Sequence, residues 1–157
     1  KTLFNAGSIG IDRCFEVTEL ALKIVFQELT DQGVELDGIL LKPNMVISGA
    51  GADDRADARS VAVATVECFM RTVPETVPGI VFLSGGQSDK EATVNLQAIN
   101  VVPDNGPWEW SFSYGRGLQA TPLAIWKGDP ANVPQAQNAF RERMQVTSAA
   151  RDGHLTS

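Results

Sequence analysis

Lys42 is the first residue whose position suggests chemistry, because it ends an apolar run directly before Pro43. A lysine amine held away from water favours its neutral form, which is a nucleophile that can form a Schiff base with a carbonyl compound. The alternative is a strand-end lysine that extends its ammonium into water or pairs with a carboxylate. Taken alone, Lys42 favours this second interpretation, since lysine is seldom fully buried.

A second group of residues could bind an anion. Ser84, Gly85 and Gly86 lie between an apolar run and a helix start, where backbone amides can converge on a phosphate. Arg116 follows the next apolar run directly after Gly115, and its guanidinium offers paired donors that match a phosphate. Each motif also has a purely structural interpretation, which is a tight turn for the glycines and a solvated surface group for the arginine.

Apolar residues at helical spacing predict the first helices. We expect a helix over residues 11–30 and a second helix that ends before Pro74. Ser88 and Glu91 have the spacing of a capping box, which predicts a third helix that ends near Asn100. The residues expected to face the core are Val17, Leu20, Ala21 and Ile24 in the first helix and Ala62, Thr65, Val66 and Phe69 in the second.

The C-terminal part of the chain is predicted to be mainly helical. Residues 118–126 have helical spacing, and we expect Pro122 to break or kink that helix. Asn132 is expected to cap a last helix whose first turn contains Pro134. The polar residues after Ala150 are expected to be frayed.

Three apolar runs predict a parallel sheet. Residues 37–47 and 79–83 have the apolar character of buried parallel strands, and residues 108–114 alternate aromatic with polar or charged side chains. Because these strands alternate with helices, we expect an α/β fold in which helices cover the sheet. Three parallel strands leave two open edges, so further structure should complete them. The aromatic residues expected to pack on helices are Trp108, Trp110, Phe112 and Tyr114.

The order of the motifs is typical of one part of an eight-stranded (β/α)8 barrel. In such barrels the loops after the seventh and eighth strands commonly bind phosphate. Ser84 and Arg116 would lie in those two loops, and Lys42 would lie one strand earlier. The combination is more specific than any single motif and favours a phosphorylated sugar or triose with a carbonyl group as the ligand.

Composition and charge exclude several functions. The net charge of -6 argues against a surface that binds nucleic acid, and no apolar stretch is long enough to insert into a membrane. The acidic run 53–57 is interpreted as a solvated loop, and one histidine with scattered cysteines does not form a zinc site. The two isolated cysteines, Cys14 and Cys68, favour a reducing compartment. Because Lys1 is not a methionine, we expect a processed product or a portion of a longer polypeptide.

The motifs resemble those of the class I fructose-1,6-bisphosphate aldolases. Gly10, Ile11, Asp12 and Arg13 are similar to the plastid-type members of that family. The resemblance covers nearly the whole chain and is carried by residues 40–46, 82–88 and 111–116, with further similarity in residues 71–74, 95–100 and 118–120.

This resemblance implies a fold and a set of site residues. The fold would be the C-terminal part of a TIM barrel, about three βα units and a terminal helix, with residues 1–157 as a partial domain that lacks the N-terminal strands. Lys42 would be the Schiff-base lysine, and neither a cofactor nor a metal is implied. The substrate- and phosphate-binding residues would be Leu83, Ser84, Gly85, Gly86, Tyr114, Gly115 and Arg116.

The resemblance also implies an activity. The complete enzyme would reversibly cleave fructose 1,6-bisphosphate to dihydroxyacetone phosphate and glyceraldehyde 3-phosphate, in glycolysis, gluconeogenesis or the Calvin cycle. It would lie in the cytoplasm or the plastid stroma. Its ligands would be these sugar and triose phosphates. Its protein partners would be further copies of itself, as in the tetramers of the family, or a larger assembly. Neither nucleic-acid binding nor membrane insertion is expected.

Two departures from the family favour a different hypothesis. The general acid/base glutamate of the family would lie upstream of Lys1, and Thr2 stands where a glutamate is usual. The alternative is a catalytically inactive, aldolase-derived structural or docking subunit of a larger assembly. Retention of Lys42, Ser84 and Arg116 favours the enzyme, although the 157 residues alone are expected to be inactive.

Overall fold

Three parallel strands form the predicted sheet, in which the second strand along the chain lies between the first and the third. The computed structural model describes residues 7–155 of the chain. Register pairs Leu41 with Ile80 and Ile80 with Trp110, so the carboxyl ends of all three strands lie at one edge of the sheet. The strands are β1 (Leu40–Leu41), β2 (Gly79–Phe82) and β3 (Glu109–Phe112).

β1 is much shorter than the strand predicted over residues 37–47, and that prediction is wrong in extent. Pro43 has no amide hydrogen to continue the ladder, although its carbonyl still accepts a hydrogen bond from the Leu83 amide at 3.0 Å. The amides of Met45 and Val46 donate to the side-chain oxygens of Asn44 and Thr65, respectively, instead of to a neighbouring strand. The apolar residues beyond Asn44 are buried as expected, but in irregular chain.

Five α-helices pack around this sheet in the described residues 7–155. Two 3-10 turns, Leu36–Gly38 and Pro130–Asn132, precede β1 and the last helix. The capping box of Ser88 and Glu91 is present as predicted. The helices are α1 (Ile11–Asp31), α2 (Ala58–Met70), α3 (Asp89–Asn100), α4 (Arg116–Trp126) and α5 (Val133–Arg151).

α1 forms where predicted but buries a different face. Cys14, Leu22 and Phe26 are buried, whereas Leu20 and Ile24 of the predicted face are 62% and 54% exposed. Apolar residues of α1 occupy more than one stripe of the helix, so spacing alone does not select the buried stripe. In α2 the predicted core residues are all buried: Ala62, Thr65, Val66 and Phe69.

Aromatic side chains from β2, β3 and α2 form the centre of the core. The rings of Phe82 and Trp110 stack at 5.6 Å between centroids with an interplanar angle of 8°. Phe69 of α2 lies 5.8 Å from Trp110 and 6.0 Å from Phe82. The Trp108 indole donates to the Pro74 carbonyl at 3.0 Å. The aromatic stripe of β3 therefore packs on helices, as predicted.

The helices α4 and α5 differ from prediction at their proline and at their cap. α4 continues through Pro122 without the predicted break, and Pro122 is buried in a helix that packs along α5. Asn132 occupies the N-cap position of α5, but its side chain makes no capping bond and donates to the Trp126 carbonyl at 3.3 Å. Pro134 lies in the first turn as expected.

The chain after Ala150 is docked rather than frayed over the residues that the structure describes. α5 continues to Arg151, and the His154 amide then donates to the Ala149 carbonyl at 2.8 Å. The side chain of Gln97 donates to the Gly153 carbonyl at 3.0 Å and accepts from the Leu155 amide at 3.1 Å. The end of α5 is thus fastened to α3.

The thiols of Cys14 and Cys68 are free and buried. Burial raises the pKa of the Cys68 thiol from 9.0 to about 12, because the thiolate would be desolvated in the core. Cys68 is therefore a neutral core side chain.

We expect the stability of the fold to fall at alkaline pH. Because the folded-state pKa of Cys68 exceeds the unfolded value, the stability contributed by the neutral thiol is fully present below about pH 9 and is lost as the pH rises through about 12. Burial also raises the pKa of the Tyr114 hydroxyl, which acts in the same direction. The test uses the longest native polypeptide that contains these residues, which we call the complete polypeptide. The urea concentration at its unfolding midpoint should decrease as the pH is raised from about 8 to about 11. Cys68→Ala should make the fall shallower, and equal slopes in the two proteins would contradict this account.

Candidate functional site

The loops that leave β1, β2 and β3 lie side by side at one edge of the sheet. The Pro43 carbonyl accepts from the Leu83 amide at 3.0 Å, and the Phe82 carbonyl accepts from the Ser113 amide at 2.8 Å. These bonds continue the parallel ladder beyond the strands, so the loop after β2 lies between the other two. The predicted site residues follow in or beside these loops: Lys42, Leu83, Ser84, Gly85, Gly86, Tyr114, Gly115 and Arg116.

The loop after β2 is a glycine turn that leads into a helix N-terminus. Gly86 has φ +77°, in the left-handed region that glycine adopts without strain. The Gln87 amide donates to the Ser84 carbonyl at 3.3 Å and closes the turn. α3 then begins with the capping box of Ser88 and Glu91. A helix N-terminus behind a glycine turn provides the positive end of a dipole and free amides for an anion.

Arg55 supports this turn from the loop between β1 and α2. Its guanidinium donates to the Gly49 carbonyl at 3.0 Å and to the Gly86 carbonyl at 3.3 Å, and it also forms an ion pair with Glu91. Arg55 is half-buried, so the solvated loop predicted over residues 53–57 is wrong at this position. No local sequence signal marks this contact, because the Gly86 carbonyl lies 31 residues away along the chain.

Asn44 joins the loop after β1 to the same turn. Its side-chain amide donates to the Gly85 carbonyl at 3.1 Å while its oxygen accepts from the Met45 amide at 3.0 Å. The loop that carries Lys42 is therefore connected through Asn44 to the glycine turn. Sequence reasoning did not assign a role to this residue.

The loop after β3 packs against Ser84. The Gly117 amide donates to Ser84 Oγ at 3.3 Å, and a Cβ at Gly117 would lie 3.1 Å from that oxygen. Gly115 precedes Arg116, the first residue of α4. The start of α4 is thus bonded to the serine that opens the glycine turn before α3.

Lys42 and Arg116 are exposed at this edge of the sheet. Neither forms an ion pair within residues 7–155. Lys42 is therefore not desolvated in this structure, contrary to the setting that a neutral amine favours. The edge therefore carries two exposed cations that have no ion-pair partner among the described residues.

Tyr114 and Leu83 are placed differently from the other predicted residues. The Tyr114 side chain is buried, and its hydroxyl donates to the Ala92 carbonyl at 2.9 Å. This side chain holds α3 and leaves only the Tyr114 backbone at the loop. Leu83 is half-buried beside the ladder bond to Pro43.

Residues 7–155 contain no group of three or more His, Cys, Asp or Glu side chains placed to hold a metal ion. None of the described helices is both long and apolar enough to span a bilayer. Thr2, which departs from the family pattern, lies outside the described residues.

The fold and this edge define an α/β protein that presents basic and glycine-rich loops at the carboxyl ends of parallel strands. The family model of class-I fructose-bisphosphate aldolase matches residues 2–157. The chain belongs to this family and corresponds to the C-terminal part of the aldolase, which confirms the resemblance found in the sequence.

Similar proteins agree with this assignment. Fructose-bisphosphate aldolase B of Gallus gallus is 49% identical over 152 residues, which are 96% of this chain and 42% of that protein. The non-muscle aldolase of Lethenteron camtschaticum is 48% identical over 94% of this chain and 40% of its own length. The chain thus spans about two fifths of these curated relatives.

A solved structure has the same fold. It is a ternary co-crystal structure of Plasmodium falciparum fructose-bisphosphate aldolase in complex with TRAP and a small-molecule inhibitor. The TM-score is 0.93 at 42% sequence identity, over 98% of this chain and 44% of that chain.

Proposed function

We propose that residues 1–157 form the C-terminal part of a (β/α)8 barrel and supply the Schiff-base lysine and the phosphate-binding loops of a class I aldolase. The observation that carries this proposal is the placement of Lys42, the glycine turn and Arg116 after three adjacent parallel strands. This is the edge at which barrel enzymes bind substrate. The connected loops support a single site rather than three separate surface groups.

The proposed reaction begins with the Lys42 amine. It adds to the C2 carbonyl of fructose 1,6-bisphosphate, and loss of water gives a protonated imine. The imine accepts the electron pair of the C3–C4 bond as that bond breaks, while the C4 hydroxyl gives its proton to a base and glyceraldehyde 3-phosphate leaves. Protonation of the enamine at C3 and addition of water release dihydroxyacetone phosphate and the free amine. By resemblance, the base is a glutamate upstream of Lys1.

The glycine turn and Arg116 bind one phosphate of the substrate in this proposal. Amides of Gly85 and Gly86 and the N-terminus of α3 donate to its oxygens, and Arg116 approaches from the N-terminus of α4. Gly115 and Tyr114 contribute their backbone, and Leu83 lines the site. Anchoring the phosphate holds the ketone carbon beside the amine, which raises the effective concentration of the two reacting groups.

The proposed partners are the sugar and triose phosphates and further copies of the chain. Exposed Leu20 and Ile24 form an apolar stripe on α1, which supports a homo-oligomer, and the resemblance favours a tetramer. The free thiols of Cys14 and Cys68 support a reducing compartment, the cytoplasm or the plastid stroma. Neither nucleic acid nor a membrane is among the proposed partners.

A coupled cleavage assay on the complete polypeptide tests the activity. Fructose 1,6-bisphosphate should be consumed with formation of dihydroxyacetone phosphate, which a dehydrogenase reports through oxidation of its nicotinamide cofactor. Absence of turnover in a folded complete polypeptide would contradict the proposal and favour the non-catalytic structural role.

Arg116→Ala is expected to weaken binding of fructose 1,6-bisphosphate by about 1.5 to 3 kcal/mol, the range for a hydrogen bond to a charged group. Isothermal calorimetry of the complete polypeptide measures this loss. Lys127→Ala is the matched control, because Lys127 is an exposed cation at the opposite end of α4. Equal affinity in Arg116→Ala and the unmodified protein would show that Arg116 is a surface group.

A further inference from the structure

Arg143 of α5 is bonded to both helices that begin at the phosphate loops. Its guanidinium donates to the Gly117 carbonyl through Nε at 3.3 Å and through Nη2 at 3.2 Å. Nη2 also donates to the Asp89 carbonyl at 3.1 Å and to Thr93 Oγ1 at 2.9 Å. One half-buried side chain thus connects α5 to the first turns of α3 and α4.

These contacts are made with residues close in sequence to those proposed to bind phosphate. Gly117 follows Arg116, and its amide donates to Ser84 Oγ at 3.3 Å. Asp89 is the first residue of α3, which the glycine turn precedes. A shift at either carbonyl would therefore move the amides and the guanidinium that are proposed to bind the phosphate.

The chemistry of arginine suits this arrangement. Its planar group carries several donors in a fixed geometry, so it can hold two carbonyls and a hydroxyl at once. A lysine ammonium is a single compact point and cannot reproduce that geometry.

We propose that Arg143 is a positioning residue that sets the spacing of the two phosphate loops. In this role it favours binding of a ketone that carries a phosphomonoester group over the same ketone without one. This inference rests on the proposed function, because it assumes that the loops bind the phosphate of the substrate. It predicts a selective loss. Binding of a phosphorylated ketone should weaken, whereas binding of the corresponding ketone without phosphate should not.

Borohydride trapping of two ketones tests this selectivity. Adduct formation is measured against concentration for dihydroxyacetone phosphate and for dihydroxyacetone, in the complete polypeptide and in its Arg143→Met and Arg143→Lys variants. In Arg143→Met the half-saturating concentration of dihydroxyacetone phosphate should rise on the order of 10- to 100-fold, the scale expected when binding groups are misplaced. The half-saturating concentration of dihydroxyacetone should be unchanged. Arg143→Lys should show the same selective loss, because lysine cannot reproduce the geometry of the guanidinium.

Arg141→Met is the matched control. Arg141 lies on the same helix, is exposed and forms a side-chain hydrogen bond only to Asn138, at 2.9 Å, among the described residues. Its replacement should therefore change the half-saturating concentration of neither ketone. If Arg143→Met does not fold, Arg143→Lys and Thr93→Val replace it, because Thr93→Val removes one anchor of the guanidinium. Thr93→Val should raise the half-saturating concentration of the phosphorylated ketone alone, by a smaller factor.

The outcomes separate this inference from the proposed function. An unmodified protein that forms no adduct with either ketone overturns the proposed function, and the inference with it. The role of Arg143 alone is overturned if the unmodified protein forms both adducts and the variants bind both ketones equally less well, or bind both as well as the unmodified protein does. A selective loss of the phosphorylated ketone supports it.

Discussion

Lys42→Met is expected to lower the rate of fructose 1,6-bisphosphate cleavage by the complete polypeptide on the order of 10⁴-fold or more. The loss is large because the amine forms the covalent intermediate, so its removal eliminates the pathway rather than weakening one contact. Substrate binding should change much less, since the glycine turn and Arg116 remain. Steady-state kinetics with calorimetric binding of the bisphosphate measures both quantities.

Mapping the covalent adduct tests the same assignment directly. After incubation with dihydroxyacetone phosphate and reduction with borohydride, mass spectrometry should find the modification on Lys42. Lys23→Met is the control, because Lys23 is paired with Glu19 on the exposed side of α1. This variant should form the adduct on Lys42 as the unmodified protein does. Modification of another lysine with Lys42 unmodified would overturn the assignment. A chelator should leave the activity unchanged, and a loss that zinc restores would indicate a metal-dependent mechanism.

Phe82→Ala is expected to lower the free energy of unfolding by about 3 to 5 kcal/mol. Phe82 is fully buried and stacks on Trp110, and its backbone carbonyl carries the ladder bond to Ser113. Truncation leaves a cavity under the strand that leads into the glycine turn. A loss of this size is a large part of the stability of a typical domain, about 5 to 15 kcal/mol.

Urea unfolding of the complete polypeptide measures this effect. Phe82→Leu is the matched control, because leucine fills most of the volume and should cost less than half as much as alanine. Activity per folded molecule should fall in Phe82→Ala as well, since β2 positions Ser84. Equal free energies of unfolding for the alanine and leucine variants would contradict the prediction that the volume filled at position 82 stabilises the core.

The sequence predicted the parts of this molecule that depend on local pattern. The capping box of α3, the glycine turn and the aromatic stripe of β3 each depend on residues a few positions apart. The order of the strands followed from alternation with helices, and it placed Lys42 and Arg116 at one edge of the sheet. The site residues themselves remain predictions that the experiments above test.

The parts that were missed depend on contacts between distant residues. Arg143 bonds to groups as far as 54 residues away, and Arg55 reaches a carbonyl 31 residues away. No local pattern marks an arginine that will bind a backbone carbonyl. The buried face of α1 was also mispredicted, since both of its stripes are apolar and only the packing partner selects one. The strand at residues 37–47 was overestimated because side chains of Asn44 and Thr65 replaced the ladder.

In the proposed site, the strand before Lys42 is short, whereas the loops that would bind the phosphate are held by several side chains. Two residues pair β1 to β2, and Leu40 at its start is largely exposed. The glycine turn, by contrast, is held by Asn44 and Arg55, and the start of α4 is held by Arg143. Segments with few buried contacts open at the lowest free energy. Under the proposed function, the phosphate loops would serve as the fixed reference for the ligand, and β1, which directly precedes Lys42, would be the part that adjusts to it.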